Sequence, residues 1–181
     1  MHGKTELFQG AVIAISLLAA GSDLVRGKIY NLLTIPALIA GVVFSFWVGG
    51  WEAGLNSGLG IAAGLLLYGW MFWIGVMGGG DVKLLMALGA WGGIGYVVET
   101  GLVAVFLGGL LGAITLVFKG RMKSFIEKIR MTLMSVVVKQ LEYIPPKIDY
   151  KLTMPYGVPI AIAAIWSAFA DPLAQLGLKL W

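Results

Sequence analysis

Asp23 and Asp81 are the residues whose type and place in this sequence could do chemistry. The chain has nine acidic residues. Glu6, Glu52, Glu99 and Asp171 fall near the ends of apolar segments on one expected side of a membrane, and Glu127, Glu142 and Asp149 fall in a basic stretch on the other. Asp23 and Asp81 remain, each within about a turn of a segment boundary on the basic side. A carboxylate at that depth costs several kcal/mol unless it is paired or wetted, so function is its default reading. The bland alternative is a local ion pair, Asp23 with Arg26 and Asp81 with Lys83. Two acids at one depth on one side point beyond that, because two carboxyl groups brought together cannot both ionise cheaply. One keeps a proton while the other takes a proton from water. The neutral partner donates to the carbonyl oxygen under attack, which is amide hydrolysis without a covalent intermediate.

The elements that must position this pair are apolar helices. Hydrophobic residues make up 59% of the chain and charged residues 12%, against about 25% in soluble domains, and mean hydropathy is +0.91. Hydrocarbon is the natural solvent for such a chain. A core of ~30 Å needs about 20 apolar residues per helix. Six segments qualify, roughly 7–25, 30–49, 54–77, 81–98, 99–118 and 154–173. The fold class expected is all-α: a polytopic membrane protein of about six transmembrane helices in a single domain. The fourth segment is the weakest, since it is short, opens on Asp81 and Lys83 and contains Gly92-Gly93. The first could instead be a signal peptide, with Ala19-Ala20-Gly21 as a loose cleavage site, although its n-region carries one Lys and one Glu.

Lysine and arginine set sidedness. With six crossings, Arg26, Lys28, Lys83, Lys119, Arg121, Lys123, Lys128, Arg130, Lys139, Lys147 and Lys151 share one side, eleven of the 13 basic residues. Lys4 and Lys179 fall opposite. That side is expected to be cytoplasmic and both termini non-cytoplasmic. Between the fifth and sixth segments, Met122, Phe125, Ile126, Ile129, Leu133, Val136, Val137 and Leu141 recur at helical spacing among Lys and Arg. Residues 119–151 therefore read as an amphipathic helix drawn to anionic headgroups, with lipid as its partner. The +4 net charge follows from this topology and implies no nucleic-acid partner. Gly54 and Gly58, Gly60 and Gly64, and Gly108 and Gly112 are small-residue pairs suited to close helix packing. The chain has no cysteine, which excludes disulfides, thiol nucleophiles and cysteine zinc sites; no metal or cofactor is expected.

Gly78-Gly79-Gly80 precedes Asp81, and three glycines disfavour a helix interior. They predict a loop that an extended peptide backbone could approach. Gly78-Gly79-Gly80-Asp81 resembles the GxGD motif of intramembrane aspartic peptidases. Val82-Lys83-Leu84-Leu85 continues it as in type IV prepilin peptidases. Asp23, followed by Arg26, Gly27, Lys28, Ile29 and Asn31, is similar to that family's first aspartate motif, with Tyr30 where proline is usual. Met154-Pro155-Tyr156-Gly157-Val158-Pro159 resembles its Pro-[Phe/Tyr]-Gly opening of the last span.

The resemblance implies a leader peptidase in the inner membrane, with Asp23 and Asp81 as the catalytic dyad. A pilin-like precursor, cut between a basic leader and an apolar helix, is the implied protein partner. Gly78 and Gly80 would shape the loop, Lys83 would tune Asp81 or reach headgroups, and Asn31 and Tyr156 would be supporting polar groups. Larger family members carry a cysteine zinc insertion linked to N-methylation of the product. This chain resembles the short, peptidase-only members serving Flp/Tad-type pili. The alternatives are an archaeal-type preflagellin or pseudopilin peptidase, or a small proton-coupled transporter using the two aspartates. Transporters more often place such acids near the midplane with internal repeats, and neither sign is present. Because the acids lie on different segments beside a glycine-rich loop, they are expected to stand apart until substrate assembles the pair.

Overall fold

The computed structural model describes residues 2–75, 77–118 and 155–170, with 120, 127 and 130. Among these, all regular structure is helical: α1 (His2–Arg26), α2 (Asn31–Trp73), α3 (Gly79–Phe118) and α4 (Gly157–Phe169). Helices meet their main-chain hydrogen-bond needs internally, as a chain in hydrocarbon must. Three stretches are long and apolar enough to cross a membrane, Thr5–Arg26, Asn31–Trp73 and Gly79–Thr115, and α4 is a shorter apolar helix. The chain divides into two compact units, Met1–Gly108 with Pro155–Trp181, and Gly109–Met154. In the second, the described helix is the end of α3, where Thr115 Oγ1 donates to the Leu111 carbonyl at 2.8 Å. The amphipathic segment expected at 119–151 lies almost entirely outside the described residues.

Neither α2 nor α3 is one straight rod. A continuous α2 of 43 residues would run ~64 Å, about twice the hydrocarbon thickness. Its helical dihedrals break at Gly50 (φ 63°, ψ −146°), a conformation that suits glycine. There the chain reverses. Ser45 Oγ and Ser57 Oγ donate to the same Ala90 carbonyl, at 3.0 and 2.8 Å, yet twelve residues of helix would hold them ~18 Å apart. Phe46 likewise packs over Gly54. In α3 the break is Gly93 (φ 77°, ψ −171°), and Asn56 Oδ1 accepts the freed Ile94 N–H at 3.2 Å. Leu85 then lies against Gly101, which again requires a fold-back. This turn falls five residues earlier than the 98/99 boundary expected from hydropathy. In consequence Glu99, expected at a membrane edge, sits within the second arm of α3 and is 4% exposed.

Packing of the hairpins rests on missing side chains. Gly60 meets Gly89 backbone to backbone, and Gly64 lies on the Leu85–Met86 main chain. Gly41 lies against Ala90 and Trp91, whose indole N–H donates to the Ala37 carbonyl at 2.8 Å. Gly60 and Gly64 thus work together as a pair, whereas Gly54 and Gly58 do not: a Cβ on Gly58 would meet nothing. Helix α1 runs antiparallel to α4: Gln9 Nε2 donates to the Ala168 carbonyl at one end, and the Gly157 N–H reaches Asp23 at the other. Phe8 meets Tyr96 edge-on, with ring centroids 5.3 Å apart. Val12, Ala19, Leu84, Leu88, Val97 and Ile160 fill the core between them.

Gly60→Ala places a Cβ inside the Gly89 carbonyl and should destabilise the protein by about 1–3 kcal/mol. Gly58→Ala should be neutral or slightly stabilising. Thermal unfolding in detergent reads both, and equal effects would contradict the packing described.

Candidate active site

Asp23 lies in the last turn of α1. The helix ends because Gly27 takes a positive φ of 63° and returns its N–H to the Asp23 carbonyl at 2.8 Å, a left-handed glycine cap. Asp81 lies in the first turn of α3, its N–H donating to the Gly78 carbonyl at 3.1 Å. Both side chains are 8% exposed. Each finds a main-chain donor. Gly157 N–H, the first of α4, donates to Asp23 Oδ2 at 2.7 Å, and Gly78 N–H donates to Asp81 Oδ2 at 3.1 Å. Initial N–H groups of a helix have no intrahelical acceptor, and the positive end of the helix dipole favours an anion there. Ile29 lies against both Gly80, the neighbour of Asp81, and Gly157, the donor to Asp23, so the two acids stand on adjoining turns.

Glycine permits this approach. A Cβ on Gly157 would stand 2.9 Å from Asp23 Oδ2, and one on Gly78 would stand 3.1 Å from Asp81 Oδ2. Gly79 and Gly80 belong to α3, although a loop was expected across all three glycines. The helix can begin there because a first turn costs glycine less than a helix interior does. Gly80 lies on the Ile29 backbone, with its Cβ position 3.0 Å from Ile29 Cβ, while Ile29 Cδ1 reaches to 3.1 Å from the Cβ position of Gly157. Ile29 is thus a wedge between the two turns that hold the acids.

Neither acid is ion-paired among the described residues. Lys83 Nζ donates to Asn31 Oδ1 at 2.8 Å; it neither pairs with Asp81 nor stands unpartnered, and it ties the start of α3 to the start of α2. Arg26 donates to the Tyr30 hydroxyl at 3.4 Å and lies 5.6 Å from that ring's centroid. Tyr30 stands where the resembled motif has proline. Its φ of −82° is one that proline also adopts, so α2 still starts at Asn31.

Next to Gly157 in the chain is Tyr156, and Tyr68 packs against it. Tyr156 was expected. Tyr68 was missed by sequence reasoning, although a tyrosine within an apolar segment must bring its hydroxyl a partner. Tyr68 is 1% exposed and donates to the Gly101 carbonyl at 3.1 Å, while Tyr156 donates to the Ala104 carbonyl at 3.3 Å. Their rings meet edge-on, centroids 6.2 Å apart. Among the described residues, no three of His, Cys, Asp and Glu cluster as a metal site would require.

Comparison with known proteins bears on this arrangement. The model of the type IV leader peptidase family matches residues 10–117, which include both aspartates. The chain is 33% identical over 121 residues to the prepilin leader peptidase/N-methyltransferase of Burkholderia pseudomallei in two strains, covering 62% of this chain and 37% of the relative. It is 33% identical over 121 residues to the enzyme of the same name from Xanthomonas campestris pv. campestris, covering 62% of this chain and 42% of that protein. The chain thus spans less than half the length of these curated relatives. No solved structure matches. With the match running through both acid-bearing helix ends and the glycine turn between them, the chain belongs to the type IV leader peptidase family.

Proposed function

We propose that this protein is a membrane aspartic endopeptidase that removes the basic leader from type IV prepilin-like precursors. The observation that carries the reading is that Asp23 and Asp81 are both buried, each on its own main-chain donor, at adjoining helix ends that share Ile29 as a neighbour. One carboxylate removes a proton from water as the oxygen attacks the scissile carbonyl carbon. The other, protonated, gives its proton to the carbonyl oxygen. The tetrahedral diol returns one hydroxyl proton to the ionised carboxylate as it collapses, the C–N bond breaks, and the leaving amine takes the proton of the other carboxyl, which leaves the pair with the one proton it began with. No covalent enzyme intermediate forms. The main-chain bonds engage Oδ2 of each acid.

The precursor's apolar helix would lie in the bilayer while its leader stays on the cytoplasmic side. Reversals at Gly50 and Gly93 support six passages rather than three. Arg26, Lys28 and Lys83, at the aspartate end, support a cytoplasmic site in the inner membrane, with both termini outside. The absence of cysteine supports peptidase activity without the methylation named for the longer relatives. Separate tethers on α4 and on the Gly78 turn support carboxylates that close on each other only when substrate arrives.

Asp23→Asn and Asp81→Asn should each lower cleavage of a co-expressed precursor by roughly a hundredfold to ten-thousandfold while leaving membrane insertion intact. Full processing by either variant, read by gel shift, would refute the assignment. Reporter fusions after Gly27, Gly78 and Lys123 should report the cytoplasm, and those after Gly50, Gly93 and Trp181 the opposite side. A cytoplasmic signal from the Trp181 fusion would contradict six passages.

A further inference from the structure

Resting on the reading of Asp23 as catalytic, we propose that Tyr156 is a positioning residue for it, seated in a notch at Gly108 and holding the Gly157 N–H against the carboxylate. Gly101, Ala104 and Gly108 share one face of the second arm of α3, at spacings of three and four residues. Tyr68 donates to the Gly101 carbonyl and Tyr156 to the Ala104 carbonyl. The Tyr156 ring occupies the space that a side chain at Gly108 would fill: a Cβ there would collide with the ring edge and stand 2.7 Å from the hydroxyl oxygen. The ring also meets Tyr68 edge-on at 73°. It is thus fixed by a hydrogen bond, a notch and a neighbouring ring.

Tyr156 is the residue immediately before Gly157. It is the N-cap of α4 with no side-chain cap bond of its own (φ −70°, ψ −17°), and its side chain is committed to α3. The next N–H is the one that donates to Asp23 Oδ2 at 2.7 Å. Where the ring sits therefore decides where that N–H points. The path runs from the Gly108 notch through the Tyr156 ring and one peptide bond to the Gly157 N–H and Asp23. None of these groups needs to touch the precursor, so their disturbance should appear in the rate of the bound complex rather than in its formation. A 1 Å displacement of a catalytic group can cost about a hundredfold.

The test is kinetic, with the purified full chain in lipid and a precursor substrate. Gly108→Ala should lower kcat about tenfold or more with KM unchanged. Tyr156→Phe keeps the ring but loses the Ala104 bond, and should lower kcat several-fold. In a Tyr156→Leu background, Gly108→Ala should add less than about twofold, because the clash has no ring to act on. Gly109→Ala, whose Cβ meets nothing, should match the parent. Amide exchange at Gly157 should quicken in Gly108→Ala and Tyr156→Phe and not in Gly109→Ala, a readout that holds even where turnover is too slow to measure. An undiminished Gly108→Ala penalty in the Leu background, or unchanged exchange at Gly157, alongside an inactive Asp23→Asn, would overturn the positioning role alone. An active Asp23→Asn would overturn the catalytic reading and this proposal with it.

Discussion

A carboxylate among apolar helices must find hydrogen-bond donors or stay neutral, and here the donors come from the main chain. The bond from Gly157 N–H to Asp23 Oδ2 joins residues 134 positions apart. It can form only if α1 and α4 run antiparallel with matched ends, and if Gly27 stops α1 one turn after the acid. The Gly78 bond is local, joining residues three apart in the turn that opens α3. A buried carboxylate left without such partners costs several kcal/mol, so the burial of Asp23 and the register of α1 against α4 are a single constraint.

Glycine supplies the remaining conditions, by two different physical means. At Gly27, Gly50 and Gly93 it is the positive φ that matters, since it ends or reverses a helix where most side chains would be strained. At Gly60, Gly89 and Gly108 it is the missing Cβ, which lets backbones or a ring come close. Ile29 connects the two groups. It follows the glycine cap of α1 and fills the gap between Gly80 and Gly157, so the short link from α1 to α2 also spaces the acid-bearing turns.

Much of the site was legible because its residues break a simple pattern. Asp23 and Asp81 stand out as acids on the basic side of apolar segments, and Gly78–Gly80 and Pro155–Gly157 stand out as interruptions. Helix reversals were less legible. Among 27 glycines, hydropathy does not tell one with positive φ from one that packs, so Gly92-Gly93 was read as a weakness within the fourth segment and the turn was set after Val98. Glu99 was assigned to a membrane edge for the same reason. The partner of Lys83 was hidden by distance along the chain, 52 residues to Asn31, whereas a neighbour such as Asp81 is what local reading offers. Tyr68 was invisible because its role depends on a carbonyl exposed to it only after α3 folds back.

In the proposed reading, helix ends far apart in sequence make one site from two acids. The chain has no native cysteine, so thiols can be placed at will. The most direct measurement is cross-linking of a protein carrying Asp23→Cys and Asp81→Cys, in native membranes, with a short bifunctional thiol reagent. The expected result is rapid, intramolecular linkage of Cys pairs at 23 and 81, faster with a bound precursor peptide, and no linkage in a control pairing position 23 with position 50 at the opposite end of the helices. Failure of the 23–81 pair to link, under conditions where both thiols react singly, would contradict a shared active site.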